Sequence, residues 1–264
     1  MIKTLLNIEY RKAINYKTFW ILGVLHFILV CILTIFVKEL SDAFNLSTPK
    51  KGVVITSNLK VYLFFPKIWN TLTFVSSMLH ILLGTMVIIS ICNEFSYKTI
   101  RHNIVSGLSK REFLYSKLIF CLCLSLYATV LILALGLIIG LINTPNLTFN
   151  KIIAQWQFIP LYSLQTFLYL MLALLIGLLF KKAALGISFL FVYVFLIENI
   201  ISFFFHSSIE NYFPYEVISG LIPAPDHFQE NSSAVVLLST IAAAIIYLVL
   251  YTFISNLVLK REDL

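Results

Sequence analysis

Six apolar runs, each of about 20 residues or more, constrain this chain more than any other feature. An α-helix rising about 1.5 Å per residue needs about 20 residues to cross a hydrocarbon core of about 30 Å. The runs read Thr18 to Val37, Leu72 to Cys92, Tyr115 to Ile142, Leu161 to Phe180, Ala183 to Phe205 and Ala234 to Leu259. With 60% of its residues hydrophobic and only 12% charged, the chain lies outside the range of soluble domains. The expectation is an all-α integral membrane protein of about six transmembrane helices, with residues 1–264 forming a single transmembrane domain.

The basic residues suggest an orientation. With the N-terminus inside, the inner segments hold Lys3, Arg11, Lys12, Lys17, Lys98, Arg101, Lys110, Arg111, Lys117, Lys181, Lys182, Lys260 and Arg261. The outer side has Lys38, Lys50, Lys51, Lys60, Lys67 and Lys151, and all but Lys151 fall in one long loop, where charge counts for less. Both termini are therefore expected in the cytoplasm. The net charge of +7 follows from these topology signals, so nucleic acid is not an expected partner. The four cysteines, Cys31, Cys92, Cys121 and Cys123, lie in or beside apolar runs and suggest neither a disulfide framework nor a metal site.

Three segments outside the runs have patterns of their own. Residues 1–17 place Ile2, Leu5, Leu6 and Ala13 on one helical side and Lys3, Asn7 and Arg11 on the other, which predicts an interfacial helix, with a frayed basic leader as the alternative because Glu9 falls inside the apolar face and Ile14 outside it. The outer segment Lys38 to Thr71 carries Tyr62, Phe64, Phe65 and Trp69, aromatics suited to the membrane surface. Between the fifth and sixth runs, residues 206–233 set Pro214, Pro223 and Pro225 around an apolar stretch from Val217 to Ile222. This pattern fits a re-entrant half-helix and equally a plain outer loop.

The inner connection, residues 93–114, has the most internal design. Tyr97, Ile100, Ile104 and Leu108 recur at spacings of three and four, which predicts an amphipathic helix with Lys98, Arg101 and His102 largely off its apolar face. Gly107 supplies a helix stop. Ser109 and Glu112 form a capping box for the next helix, with Leu108 and Phe113 placed as a hydrophobic staple. A rigid element at the base of two spans would pass a displacement into the membrane that a floppy linker would absorb.

This segment resembles the conserved region of the ABC-2 type transporter permeases. The matching residues are Glu94, Lys98-Thr99, Gly107, Ser109-Lys110-Arg111, Glu112-Phe113-Leu114 and Lys117. The chain departs from that pattern where Lys98 stands in place of Gly and where the Pro beside the Ser-basic turn is missing. The six-run layout, the basic amphipathic start and the stretch before the last run are also similar to that family.

The resemblance implies a permease subunit, most simply an exporter, in a bacterial cytoplasmic membrane. It would pair with a second permease chain, homo- or heterodimeric, and with a separate ATP-binding cassette subunit that holds ATP and Mg and performs the hydrolysis. The expected coupling residues are Glu94, Lys98, Thr99, Arg101, Ile104, Gly107, Ser109, Arg111 and Glu112. The chain has no G-x-x-x-x-G-K-[ST] sequence, so no catalytic, cofactor or metal residues are assigned to it. Glu198 and Asn199, polar residues inside the fifth run, are the candidates for a translocation path. His26 and His80 are read as interhelical hydrogen-bonding residues. The rival readings are a secondary carrier or channel, or a membrane-embedded enzyme, working without an ATPase partner, and a non-transporting assembly or sensor subunit with the same fold.

Overall fold

A computed structural model describes Glu9, Lys12 and residues 14–46, 63–100, 107–198, 200–201, 212–225 and 238–261. All regular structure among them is helical: α1 (Lys17–Leu46), α2 (Ile68–Ser77), α3 (His80–Ser96), α4 (Lys110–Asn143), α5 (Phe149–Ile153), α6 (Phe158–Phe180), α7 (Ala183–Val192), α8 (Pro214–Gly220) and α9 (Leu238–Arg261). A π-helical turn, Tyr193–Ile197, continues α7. Most of the expected interfacial helix, residues 1–8 with 10, 11 and 13, lies outside the described residues.

Four stretches are long and apolar enough to cross a membrane: Lys17–Glu39 of α1, all of α4, Phe149–Phe180 through α5 and α6, and α9. The pair α2 and α3, bent by 45°, makes a fifth when taken as one crossing. The remaining apolar run is represented by Ala183–Ile197, which is shorter than a crossing requires, and its tail at 202–205 lies outside the described residues. The protein is thus an all-helical chain with four to five candidate spans among the described residues.

The bend between α2 and α3 has a local cause. The Met78 and Leu79 N–H groups reach back only three residues, to Val75 O and Ser76 O. Just before it, the Thr73 and Ser77 hydroxyls donate to the carbonyls of Trp69 (2.7 Å) and Phe74 (2.6 Å). Hydroxyl groups bonded back onto the preceding turn compete with the helical ladder and bend it.

Two expectations for the segment after α1 need correction. The first helix does not stop at Val37 but continues through Lys38 and Glu39 to Leu46. The aromatics placed on the membrane surface also divide. Phe64 is exposed, whereas Phe65 and Trp69 are fully buried, and α2 begins four residues before the apolar run. Tyr62 lies outside the described residues. Gly136 and Gly140 on α4 make the room. A Cβ added at Gly136 would lie 2.5 Å from the Trp69 ring, and one at Gly140 would lie 2.5 Å from the Phe65 ring.

The core is organised around α6, which is apolar on every side, the pattern of a helix enclosed by others. Leu168, Leu170, Met171, Ala173 and Leu174 have no exposed surface, and α3, α4, α7 and α9 pack about them. Small residues set the close approaches. Gly84 of α3 faces Tyr169, Gly177 of α6 faces Ile88 and Ile91, and Gly186 of α7 faces Ile88. Between membrane helices, where apolar burial provides little drive, such close backbone packing is a main source of cohesion.

Candidate functional site

The connection between α3 and α4 is anchored by charge. Glu94, in the last turn of α3, and Lys117, two turns into α4, form a direct ion pair. Lys117 also donates to Glu9 Oε2 at 2.7 Å, and Ser116 donates to Glu9 Oε1 at 3.1 Å. Lys12 reaches Glu94 Oε1 at 3.1 Å and Glu9 Oε1 at 3.6 Å. Two acids and two bases therefore join the N-terminal segment, α3 and α4 at one point. Lys117 is 1% exposed and Glu9 and Glu94 are each 5% exposed. The Lys117 ammonium also lies 5.6 Å from the Phe113 ring centroid and 5.9 Å from that of Phe120, within cation–π range.

The mutual pairing explains how these charges are tolerated. Burial by itself raises the Glu9 carboxyl, but the Lys117 and Lys12 ammonium groups outweigh it. With hydrogen bonds from Lys117 and Ser116 added, they hold Glu9 below the usual carboxylate range. A carboxyl whose folded pKa is depressed stabilises the fold above its unfolded pKa. That contribution is lost as pH falls through the lowered value.

The expected glycine turn and capping box at the end of the connection are present. Gly107 has φ +100°, in the region that favours glycine. Ser109 caps α4: its Oγ accepts from the Glu112 N–H at 3.2 Å, while the Glu112 carboxylate accepts from the Ser109 N–H at 2.8 Å. Leu108 packs against the core and Phe113 lies within it. At the other end, α3 continues through Glu94 to Ser96, so Glu94 belongs to the membrane helix and not to a separate coupling helix. Lys98 takes φ +54°, and helical conformation resumes at Thr99 and Ile100. Arg101, His102, Ile104 and the rest of 101–106 lie outside the described residues.

A second polar centre surrounds Glu198. Its carboxylate accepts from the Tyr193 hydroxyl, from the Tyr215 N–H at 2.8 and 3.0 Å, and from the Glu216 N–H at 3.1 Å. Tyr215 and Glu216 are in the first turn of α8, so Glu198 fills from another helix the capping role that a Ser or Asp usually fills locally. At the far end of α8, Gln165 Nε2 of α6 donates to the Ile218 carbonyl at 3.0 Å. Val217, Ile218, Leu221 and Ile222 are buried, and Pro214 begins the helix at a position where its missing N–H does no harm. Asn199 lies outside the described residues.

The structure thus brings Glu94 together with Glu9, Lys12 and Lys117, and pairs Ser109 with Glu112. The hydrogen bonds of Glu198 go to Tyr193, Tyr215 and Glu216 and to neither of these groups. Sequence reasoning used Lys12 only as a topology signal and Glu9 only as a break in the interfacial helix, and that break was the available signal. His80 behaves as expected, its Nε2 lying 3.0 Å from Thr166 Oγ1 of α6. His26 departs from that expectation: it is buried, and neither ring nitrogen has a hydrogen-bond partner among the described residues. Among the described residues no group of three or more His, Cys, Asp or Glu is placed to hold a metal.

No protein-family model and no curated protein matches the chain.

Removing the Glu198 carboxylate has a defined expected cost. Glu198→Ala leaves the N–H groups of Tyr215 and Glu216 without this acceptor, at about 1–3 kcal/mol for each orphaned group. The variant should melt at lower temperature in detergent, and hydrogen exchange should rise first in 214–220. Unchanged protection there would mean that α8 stands without Glu198.

Proposed function

We propose that the chain is the membrane-spanning permease subunit of an ATP-binding cassette transporter of the ABC-2 kind, working as an exporter. Its fold would comprise six spans, with both termini in the cytoplasm of a bacterial cell and residues 1–17 lying along the inner leaflet. A second permease chain completes the path, and hydrolysis of ATP occurs on a separate subunit docked beneath the 93–114 connection.

The observation that carries this reading is the ion-paired junction of Glu9, Lys12, Glu94 and Lys117. It ties the N-terminal segment to the bases of both helices that flank the connection. A push on Lys98, Arg101, Lys110 or Arg111 from an ATPase would meet a joint braced on three elements, with the rigid Gly107–Ser109 elbow on one side. Charge reversal of these contacts is tested most simply at Arg101, which lies on the connection itself. Glu198 is assigned to holding α8 as a re-entrant half-helix rather than to contact with cargo, because its oxygens are already occupied.

The test is co-purification with a genomically adjacent ATP-binding protein, followed by assay of vanadate-sensitive ATPase activity in lipid. Arg101→Glu should insert normally and lose most of the association or the coupled activity. Full coupling in Arg101→Glu would remove the docking role of the connection. Absence of any ATPase partner would favour a secondary carrier or an embedded enzyme.

A further inference from the structure

The π-helical turn Tyr193–Ile197 joins two anchored parts of the chain. Tyr193, its first residue, stacks on Phe189 of α7 with ring centroids 6.2 Å apart. Glu198, the residue after it, holds the N–H groups of Tyr215 and Glu216 in α8. Between these anchors the Glu198 N–H donates to the Tyr193 carbonyl, five residues back rather than four. Residues five apart on an α-helix point about 140° away from each other. The wider i→i+5 winding brings them toward one face, and this lets the Tyr193 hydroxyl reach the Glu198 carboxylate. The turn therefore absorbs one extra residue between the register of α7 and the seat of Glu198 on α8.

Packing does not impose this winding. Phe195 and Leu196, in the middle of the turn, are more than half exposed, so the turn can rewind there without driving a core side chain out. Helical conformation continues past it at Glu198, Ile200 and Ile201. The seven residues of α8 are too few to stay helical without tertiary contacts, and three other elements supply them. Glu198 caps its start, Gln165 of α6 donates to the Ile218 carbonyl at 3.0 Å, and Tyr247 of α9 donates to the Tyr212 carbonyl at 2.8 Å, just before the helix begins.

We propose that the Tyr193–Ile197 turn is a two-position register switch set by the seating of α8. With α8 in place, Glu198 holds the turn in its i→i+5 form. When α8 leaves its seat, the turn rewinds to α-helix, and Glu198, Ile200 and Ile201 rotate by about 100°, the angle of one residue. A displacement of α8 is thereby passed to the end of α7 as a rotation, and a rotation there unseats α8. The switch lies wholly within α6 to α9 and requires no ATPase, so it stands or falls separately from the transporter reading.

Electron–electron double resonance on the full chain tests this, with spin labels on Leu185→Cys before the turn and Ile200→Cys after it. Both positions are about half exposed, and Cys31 and Cys123, which are not buried, are replaced by serine. The labelled chain should give one main distance, and Glu198→Ala should move most of the population by several ångström. Gln165→Ala loosens the far end of α8 and touches no residue of the turn, yet it should move part of the population the same way. Deleting Leu196 removes the extra residue, so that Tyr193 and Glu198 become i,i+4 neighbours on an unbroken α-helix. That variant should melt normally and keep one distance with or without Gln165→Ala. A distance that neither Glu198→Ala nor Gln165→Ala moves overturns the switch, and so does one that Gln165→Ala still moves after the deletion.

Discussion

Lys117→Met should lower the unfolding free energy by about 3–5 kcal/mol, because it leaves buried carboxylates without their central cation. The Lys117 side chain is 1% exposed and contacts both Glu9 and Glu94. Lys12 remains beside them but is one-third exposed, so water screens part of its attraction. Methionine matches the aliphatic stem of lysine, and the loss therefore reports charge rather than volume. The informative comparison is the triple variant Glu9→Gln, Glu94→Gln, Lys117→Met. Buried ion clusters replaced as a whole by neutral groups are often as stable as the originals. The triple variant should recover most of the loss in a detergent melt. It should fail in transport under the proposed function, since the neutral junction no longer braces three elements by charge. If the triple is as unstable as Lys117→Met, the four residues do not act as one energetic unit.

That cluster also shows where the sequence was readable. The Ser109 and Glu112 capping box depends on residues three apart, and hydrogen bonds formed so locally are encoded by pattern alone. Gly107 is the same case, since few other residues accept its φ. The pairing of Lys117 with Glu94 spans 23 positions and that with Glu9 spans 108. No periodicity specifies such partners. Lys12 and Lys117 on their own read as ordinary topology signals, and only the packing of the N-terminal segment against α3 and α4 joins them to Glu9 and Glu94 in a site. Glu198 was legible as an anomaly inside an apolar run. Its partners were not, because a carboxylate capping another helix leaves no spacing rule between position 198 and positions 215 and 216. The start of α2 was missed for a different reason. Asn70, Thr71 and Thr73 lower the local hydropathy, although they are buried, and the Thr73 hydroxyl is satisfied by a carbonyl of its own helix. The better signal lay far along the chain, in Gly136 and Gly140 on α4, a spacing that marks close helix packing.

Those glycines carry the second large expected effect. Trp69→Ala should destabilise the protein by about 3–5 kcal/mol. It empties a fully buried ring site and removes the indole N–H that donates to the Ile152 carbonyl at 2.8 Å. Where lipid rather than water surrounds the helices, the transfer part of that cost shrinks and the lost contacts dominate. Gly136→Val should cost about 1–3 kcal/mol from the opposite direction, by forcing a side chain into the Trp69 ring. The two changes act on one shared volume, so they should not add. In Gly136→Val with Trp69→Leu, the valine occupies space that the smaller side chain vacates, and the double variant should melt above the temperature expected from summing the single losses. Strict additivity would mean that α2 relaxes away from α4 in each single variant. The seat of Trp69 on Gly136 would then contribute little to holding the first half of the bent span in place.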